Sequence, residues 1–195
     1  FTHTMGFRLN SEWVFFVISD YLVRIKLAQD GGMFMSPTVK SILFALVWIA
    51  VFLVGIPWLV YYAGESPQFQ GLWEATRQFC GVILFAGGLL LSLVCVGLLA
   101  VRGKGTPAPF DPPQRFVPVG PYRWIRNPMV LGNVLALLGY SLYFNSLALL
   151  IYALIFWLAA HLFIVFYEER DLQRRFGEEY EQYRNSTPRW WPRLG

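Results

Sequence analysis

Long apolar runs separated by short polar breaks dominate the pattern of this chain. Runs at 39–62 and 75–101 each reach about the 20 residues that a helix needs to cross a bilayer. Two more, at 128–144 and 146–167, are divided only by Asn145-Ser146, a tight turn that makes them a helical hairpin. Seventeen residues is short for a crossing, so the hairpin is expected to sink toward one leaflet. Trp58, Tyr61 and Tyr62 form an interfacial aromatic belt at the end of the first run, where Pro57 should kink the helix. Gly87, Gly88 and Ser92 are small residues that let a neighbouring helix approach the second run.

The polar stretches carry their own periodicity. Residues 11–29 place Trp13, Phe16, Val17, Tyr21, Arg24 and Leu27 at helical spacing among charges, as expected of an amphipathic helix lying in the interface. Residues 168–185 set Leu172, Phe176, Tyr180 and Tyr183 on one face of a tail helix, which Ser186-Thr187-Pro188 should stop. The connection at 102–127 holds Arg102, Lys104, Arg115, Arg123 and Arg126 against the single acid Asp111, so the positive-inside rule puts it in the cytoplasm. Six prolines restrict it, and its aromatics argue for order. The expected architecture is all-α: one integral-membrane domain over 1–195, with about four transmembrane helices, an interfacial helix, a cytoplasmic tail helix and both termini cytoplasmic.

Composition agrees: 56% of the 195 residues are hydrophobic and 14% charged, too apolar for an ordinary soluble domain. A net charge of +4, with bases beside the apolar runs, suits anionic headgroups and argues against a nucleic-acid partner. Two His and two Cys are too scattered for a metal site, and no Walker loop, Gly-x-Gly-x-x-Gly or Gly-x-Ser-x-Gly motif is present. Cys80 and Cys95 would lie about 22 Å apart on one helix, beyond disulfide reach. Phe1 to Asn10 lacks a basic region followed by an apolar one, so no cleavable signal peptide is expected there.

Candidate chemistry gathers at 120–132, GPYRWIRNPMVLG, and at Glu168-Glu169. Asn127-Pro128 would cap and start the third run, presenting free N–H groups to an anion, and Gly132 one turn later would leave that face open for a ligand. Glu168 extends a stripe that includes His161 toward the cytoplasmic mouth, and an ionisable residue at membrane depth is a functional hypothesis by default. His161 also has a plain reading as a satisfied core histidine. Arg115, Arg123 and Arg126 either set topology only, or one of them clamps a carboxylate or phosphate from within a pocket.

The combination of GPYRWIRNPMVLG, a helical hairpin and EERDLQRRFGEEYEQYRNSTPRW resembles the isoprenylcysteine carboxyl methyltransferase superfamily with its related phospholipid methyltransferases. The likeness covers about Arg102 to Pro192. It implies an S-adenosyl-L-methionine pocket without a Rossmann fold, enclosed by the loop, the hairpin ends and the tail helix. Phe116, Val117, Gly120 and Tyr122 stand where the family has its leucine-valine-x-x-glycine-x-tyrosine segment, and Arg126, Asn127 and Pro128 where it has arginine-histidine-proline. The family's glutamate pair falls on Glu168 and Glu169. Two departures matter: Asn127 replaces the histidine, and Ile164 stands where the prenylcysteine enzymes carry an arginine for the substrate carboxylate.

On this resemblance the protein is a membrane methyltransferase acting on a lipid-like or other hydrophobic acceptor. Arg115 or Arg126 would hold the donor's carboxylate, Glu168 or Glu169 its ammonium, and Tyr122 or Trp124 its adenine. His161 or Glu168 would take the proton from an amine acceptor. The competing readings are a membrane reductase of the sterol-reductase type using NADPH, and a non-catalytic lipid-binding protein.

Overall fold

The computed structural model describes residues 37–64, 74–103 and 114–191, all within a compact unit that begins at Pro37. The expected interfacial helix at 11–29, the 65–73 connection and most of the first half of the 102–127 loop lie outside the described residues. No strand occurs among the described residues. Helix α1, Pro37–Trp48, passes through a π-helical segment, Ile49–Gly55, into α2, Ile56–Ala63. Helix α3, Glu74–Leu98, ends in a π turn, Leu99–Gly103. A single 3-10 turn, Gly120–Arg123, precedes α4, Pro128–Phe144. Helix α5, Leu147–Phe163, runs through a third π segment, Ile164–Glu168, into α6, Glu169–Ser186.

Three of these helices, Val39–Ala63, Glu74–Gly103 and Leu147–Ser186, are long and apolar enough to cross a membrane. The fourth apolar helix, Pro128–Phe144, has 17 residues and spans only about 25 Å at 1.5 Å per residue. The last span and the start of the tail, expected as two helices, form one rod that runs unbroken as far as Gly177. Nothing between Tyr167 and Glu169 breaks a helix, so hydropathy changes there while the backbone does not. The rod's one interruption is Gly177, at φ 52° and ψ −124°, backbone that favours glycine.

Helices α3 and α4 make the most extensive contact in the fold. Their seam is built on backbone. A Cβ on Gly88 would stand 2.5 Å from Ala136 N, and one on Gly132 would stand 2.6 Å from Gly88 O. Gly81 meets Gly139 and Tyr143 in the same way, whereas Gly87 has nothing within 4 Å and takes no part. Ser92 Oγ closes one end of the seam, 3.0 Å from Met129 O and 2.7 Å from Asn133 Oδ1. Arg77 closes the other by donating to Leu142 O, which also accepts from Asn145 N, and, at 2.6 Å, to Tyr143 O near the end of α4. Asn145, in left-handed backbone at φ 53°, then turns the chain, and Ser146 Oγ accepts from Leu149 N to start α5.

Helix α1–α2 completes the bundle through Leu53, which packs with Ala136, Leu137 and Ala153. Pro57 does not break it. In the π segment Ile56 N bonds back five residues to Val51 O. The next carbonyl, Phe52 O, would serve residue 57, but proline has no N–H; Tyr152 Oη of α5 donates to it at 3.0 Å.

Candidate functional site

A cavity of about 490 Å³ opens between α1, the loop before α4, and the α5–α6 rod. One wall is aromatic: Phe44, Trp48 and Phe52, four residues apart on α1 and its π segment, stack in series, and Phe156 of α5 faces Trp48 and Phe52. The opposite wall is a stripe from Ala160 through Ile164, Glu168 and Leu172 to Phe176. Residues four apart on an α-helix drift by about 40° per step. The π segment, in which Glu169 N bonds to Ile164 O, offsets that drift and keeps the stripe aimed at one cavity.

Of the residues singled out from sequence, Arg115, Phe116, Val117, Tyr122, Arg126, Asn127, Glu168 and Glu169 line this cavity. Glu169 is tied at its edge. Arg189 holds it with two hydrogen bonds, Nε to Oε1 at 2.8 Å and NH2 to Oε2 at 2.9 Å, and Arg126 NH1 lies 3.0 Å from the same Oε1. That pairing pushes Arg189 further above the ordinary guanidinium range, so its charge is permanent. Arg126 NH1 is off the hydrogen-bonding line to Glu169, and both it and Nε are buried donors without a hydrogen-bond partner. Glu168, one residue earlier, has no ion pair or hydrogen bond among the described residues. An unpartnered carboxylate and unused guanidinium donors thus share an otherwise mostly apolar space.

Tyr122 forms part of the floor. Burial pushes its phenol well above the ordinary range, with the Cys95 thiol and Glu168 adding in the same direction, so the ring stays neutral. Tyr183 Oη fixes the loop there by donating to Tyr122 O at 2.6 Å. Phe116 packs on Phe176, Tyr180 and Tyr183 of α6, which explains why the aromatic loop is ordered.

Several expected residues stand elsewhere or do something other than expected. Asn127 occupies the position before α4, and its carbonyl accepts from Leu131 N, but its side chain caps nothing; Nδ2 donates instead to Arg189 O at 3.4 Å. Gly132, expected to open a ligand face, is buried in the seam against Gly88 and Ser92. Pro128 is buried as the first residue of α4 and does not line the cavity. Gly120 sits at φ 59° with Leu98 Cδ1 2.9 Å from where a Cβ would be, so it shapes the turn that delivers Tyr122. His161 lies outside the cavity lining, stacked on Trp157 and accepting at Nδ1 from Trp190 Nε1 at 3.2 Å. Trp124 is 67% exposed and also stands away from the cavity.

Two contributions escaped the sequence reading. The α1 wall was visible only as apolar residues of a span, although the spacing of Phe44, Trp48 and Phe52 was a usable signal. Arg189 stood inside the quoted tail motif with nothing to mark it as a site residue: it arrives on a short strap after Thr187, held by Arg126 N to Pro188 O at 2.9 Å.

Residues 76–179, just over half of the chain, match the phospholipid methyltransferase family. The chain belongs to that family. The matched region takes in the seam, the loop and the glutamate pair, and stops short of the Arg189 strap. No curated protein matches the chain. Family membership makes the protein a membrane-embedded methyltransferase, which agrees with three helices long and apolar enough to cross a bilayer.

Proposed function

We propose that this protein transfers a methyl group from S-adenosyl-L-methionine to a lipid-like acceptor, with the donor held at the polar end of the cavity and the acceptor's chain along the aromatic wall. The observation that carries this reading is the pairing of Arg126, with buried donors unused, and Glu168, with no cation beside it, at the end of an apolar cavity. A volume near 490 Å³ falls within the range of small-molecule sites.

The residues fit a donor that carries both a carboxylate and an ammonium. Arg126 Nε and NH1 would receive the carboxylate, Glu168 would face the ammonium, and the neutral Tyr122 ring would wall the compartment. When bound, S-adenosyl-L-methionine supplies a methyl group already activated by its sulfonium. The chain's own work is therefore orientation and exclusion of water, which the aromatic wall and the Phe116 cluster perform. Ile164, 1% exposed on the cavity wall, offers no cation to an acceptor's carboxylate, which favours an amine, thiol or other neutral lipid head. The polar end of the cavity and both termini are assigned to the cytoplasm from the basic residues of the loop, with Pro128–Phe144 as a short fourth crossing.

Calorimetric titration of S-adenosylhomocysteine into the detergent-purified protein tests the donor assignment. Saturable binding, weakened by Arg126→Ala in a protein that still melts normally, supports it. A folded wild type that binds nothing, in detergent and again in lipid nanodiscs, overturns it.

A further inference from the structure

The Arg126–Glu169–Arg189 cluster contains two guanidinium groups and one carboxylate. How that carboxylate is shared decides how much positive charge faces the cavity. Arg189 takes both oxygens in a fork-to-fork pair, the strongest arrangement open to these groups. Arg126 lies close to one oxygen but keeps Nε and NH1 unbonded, and it lines the cavity while Arg189 does not. The carboxylate is thus neutralised from behind and the cluster's surplus charge is left on Arg126. If Arg189 were absent, Glu169 would be free to turn its full charge and both oxygens to Arg126, and the surplus would vanish.

We propose that Arg189 is a positioning residue: by holding Glu169 it leaves Arg126 free to receive an anionic group in the cavity. The strap that carries it is fixed for this purpose at three more points. Arg126 N donates to Pro188 O, Asn127 Nδ2 donates to Arg189 O, and Trp190 Nε1 donates to His161 Nδ1. Residues 187–190 lie beyond the family match at 76–179. The strap also gives His161 and Asn127 a role, as its anchors. The inference rests on the donor assignment above, in which the anion is the donor's carboxylate.

The test is a comparison of two ligands on three proteins. S-adenosylhomocysteine and its decarboxylated analogue, which lacks only the carboxylate, are titrated calorimetrically into wild type, Arg189→Ala and Arg189→Lys. In the wild type the carboxylate is expected to strengthen binding about tenfold or more, the scale of hydrogen bonds to a charged group. In Arg189→Ala that advantage should fall to about twofold or less, while the decarboxylated analogue binds nearly as before. Arg189→Lys, which keeps the charge but not the fork, should fall between. Equal weakening of both ligands in Arg189→Ala would mean the strap only supports the fold, and no weakening would mean Arg126 needs no help; either overturns the proposal. If wild type binds neither ligand, the donor assignment itself fails and the proposal with it. Should Arg189→Ala not fold, Glu169→Gln serves instead. With Glu169 uncharged, Arg126 has no competitor, so the carboxylate advantage must persist or grow; its loss there overturns the proposal.

Discussion

The two sides of this bundle solve opposite problems. Between α3 and α4, small residues bring backbone against backbone until no room is left for a single Cβ at Gly88, Gly132 or Gly139. Between α1 and the α5–α6 rod, large aromatics leave about 490 Å³ unfilled. Polar groups divide along the same line. Ser92, Asn133 and Arg77 at the seam all have partners within the protein. Trp48 Nε1, Arg126 Nε and Arg126 NH1, all on cavity-lining residues, have no hydrogen-bond partner, and of the buried side-chain polar atoms so placed among the described residues only Gln173 Oε1 lies off the cavity lining. In a bundle whose outside offers no water, satisfied polar groups mark structure and unsatisfied ones mark where a ligand is expected. Ser92 and Asn133 touch both regions, so the rigid seam ends where the cavity begins.

The largest effect should come from breaking the seam. Gly88→Val would drive side-chain carbons into the backbone of Gly132 and Ala136, neither of which can yield without separating the helices. A loss of about 3 kcal/mol or more is expected, seen as a much lower melting temperature in detergent or as failure to accumulate folded protein. Gly87→Ala, one residue away and open, is the control and should melt within error of the wild type. Equal melting of the two variants would remove the seam as the rigid side.

On the cavity side, Glu168→Gln keeps shape and removes charge. S-adenosylhomocysteine affinity, and with it turnover at low donor, should fall about 50-fold as the ligand's ammonium loses its charged partner, with little change in melting. Parallel loss of stability and turnover would instead make Glu168 part of the scaffold. Arg77→Met comes next, with no effect on ligand binding but about 2 kcal/mol of stability lost, because Tyr143 O loses the Arg77 donor and Leu142 O is left with Asn145 N alone. Thermal melts with and without S-adenosylhomocysteine check both halves: an altered ligand-induced shift in Arg77→Met would mean that seam and cavity are not independent.

Much of this division was legible in the chain. Hydropathy runs placed the apolar helices because about 20 apolar residues have few other uses, and Asn145-Ser146 marked the hairpin because asparagine tolerates the left-handed backbone found there. The polar motif and the glutamate pair do converge, with Arg126 3.0 Å from Glu169. What failed was anything that depends on which neighbour a residue meets. Gly132 and Gly88 were both read from their small size, yet only the partner helix decides that one closes a seam and does not open a site. Asn127 had a good local reason to cap α4, and a tertiary carbonyl of Arg189 outbid it. Arg189 itself sits 20 residues from Glu169 with no periodicity to join them, since the helix has ended before Pro188 and a short non-helical strap makes the return.

Trp48→Phe is the smallest change and tests the partner accounting itself. Its indole Nε1 is buried without a partner on the cavity wall, between Phe44 and Phe52 and facing Phe156. A buried donor without an acceptor costs free energy in the empty protein, so removing the N–H while keeping an aromatic ring should leave the melting temperature unchanged or raise it, by about 1 kcal/mol at most after the loss of ring area. If that donor serves an oxygen of the acceptor's head, the same variant should need severalfold more acceptor to reach half-maximal rate, with S-adenosylhomocysteine affinity unchanged. Stability and acceptor affinity would then move in opposite directions, as they do for a group that waits for a ligand. A variant that melts lower and binds acceptor normally would place Trp48 with the packing residues, and the division between the two sides of the bundle would have to be drawn on volume alone.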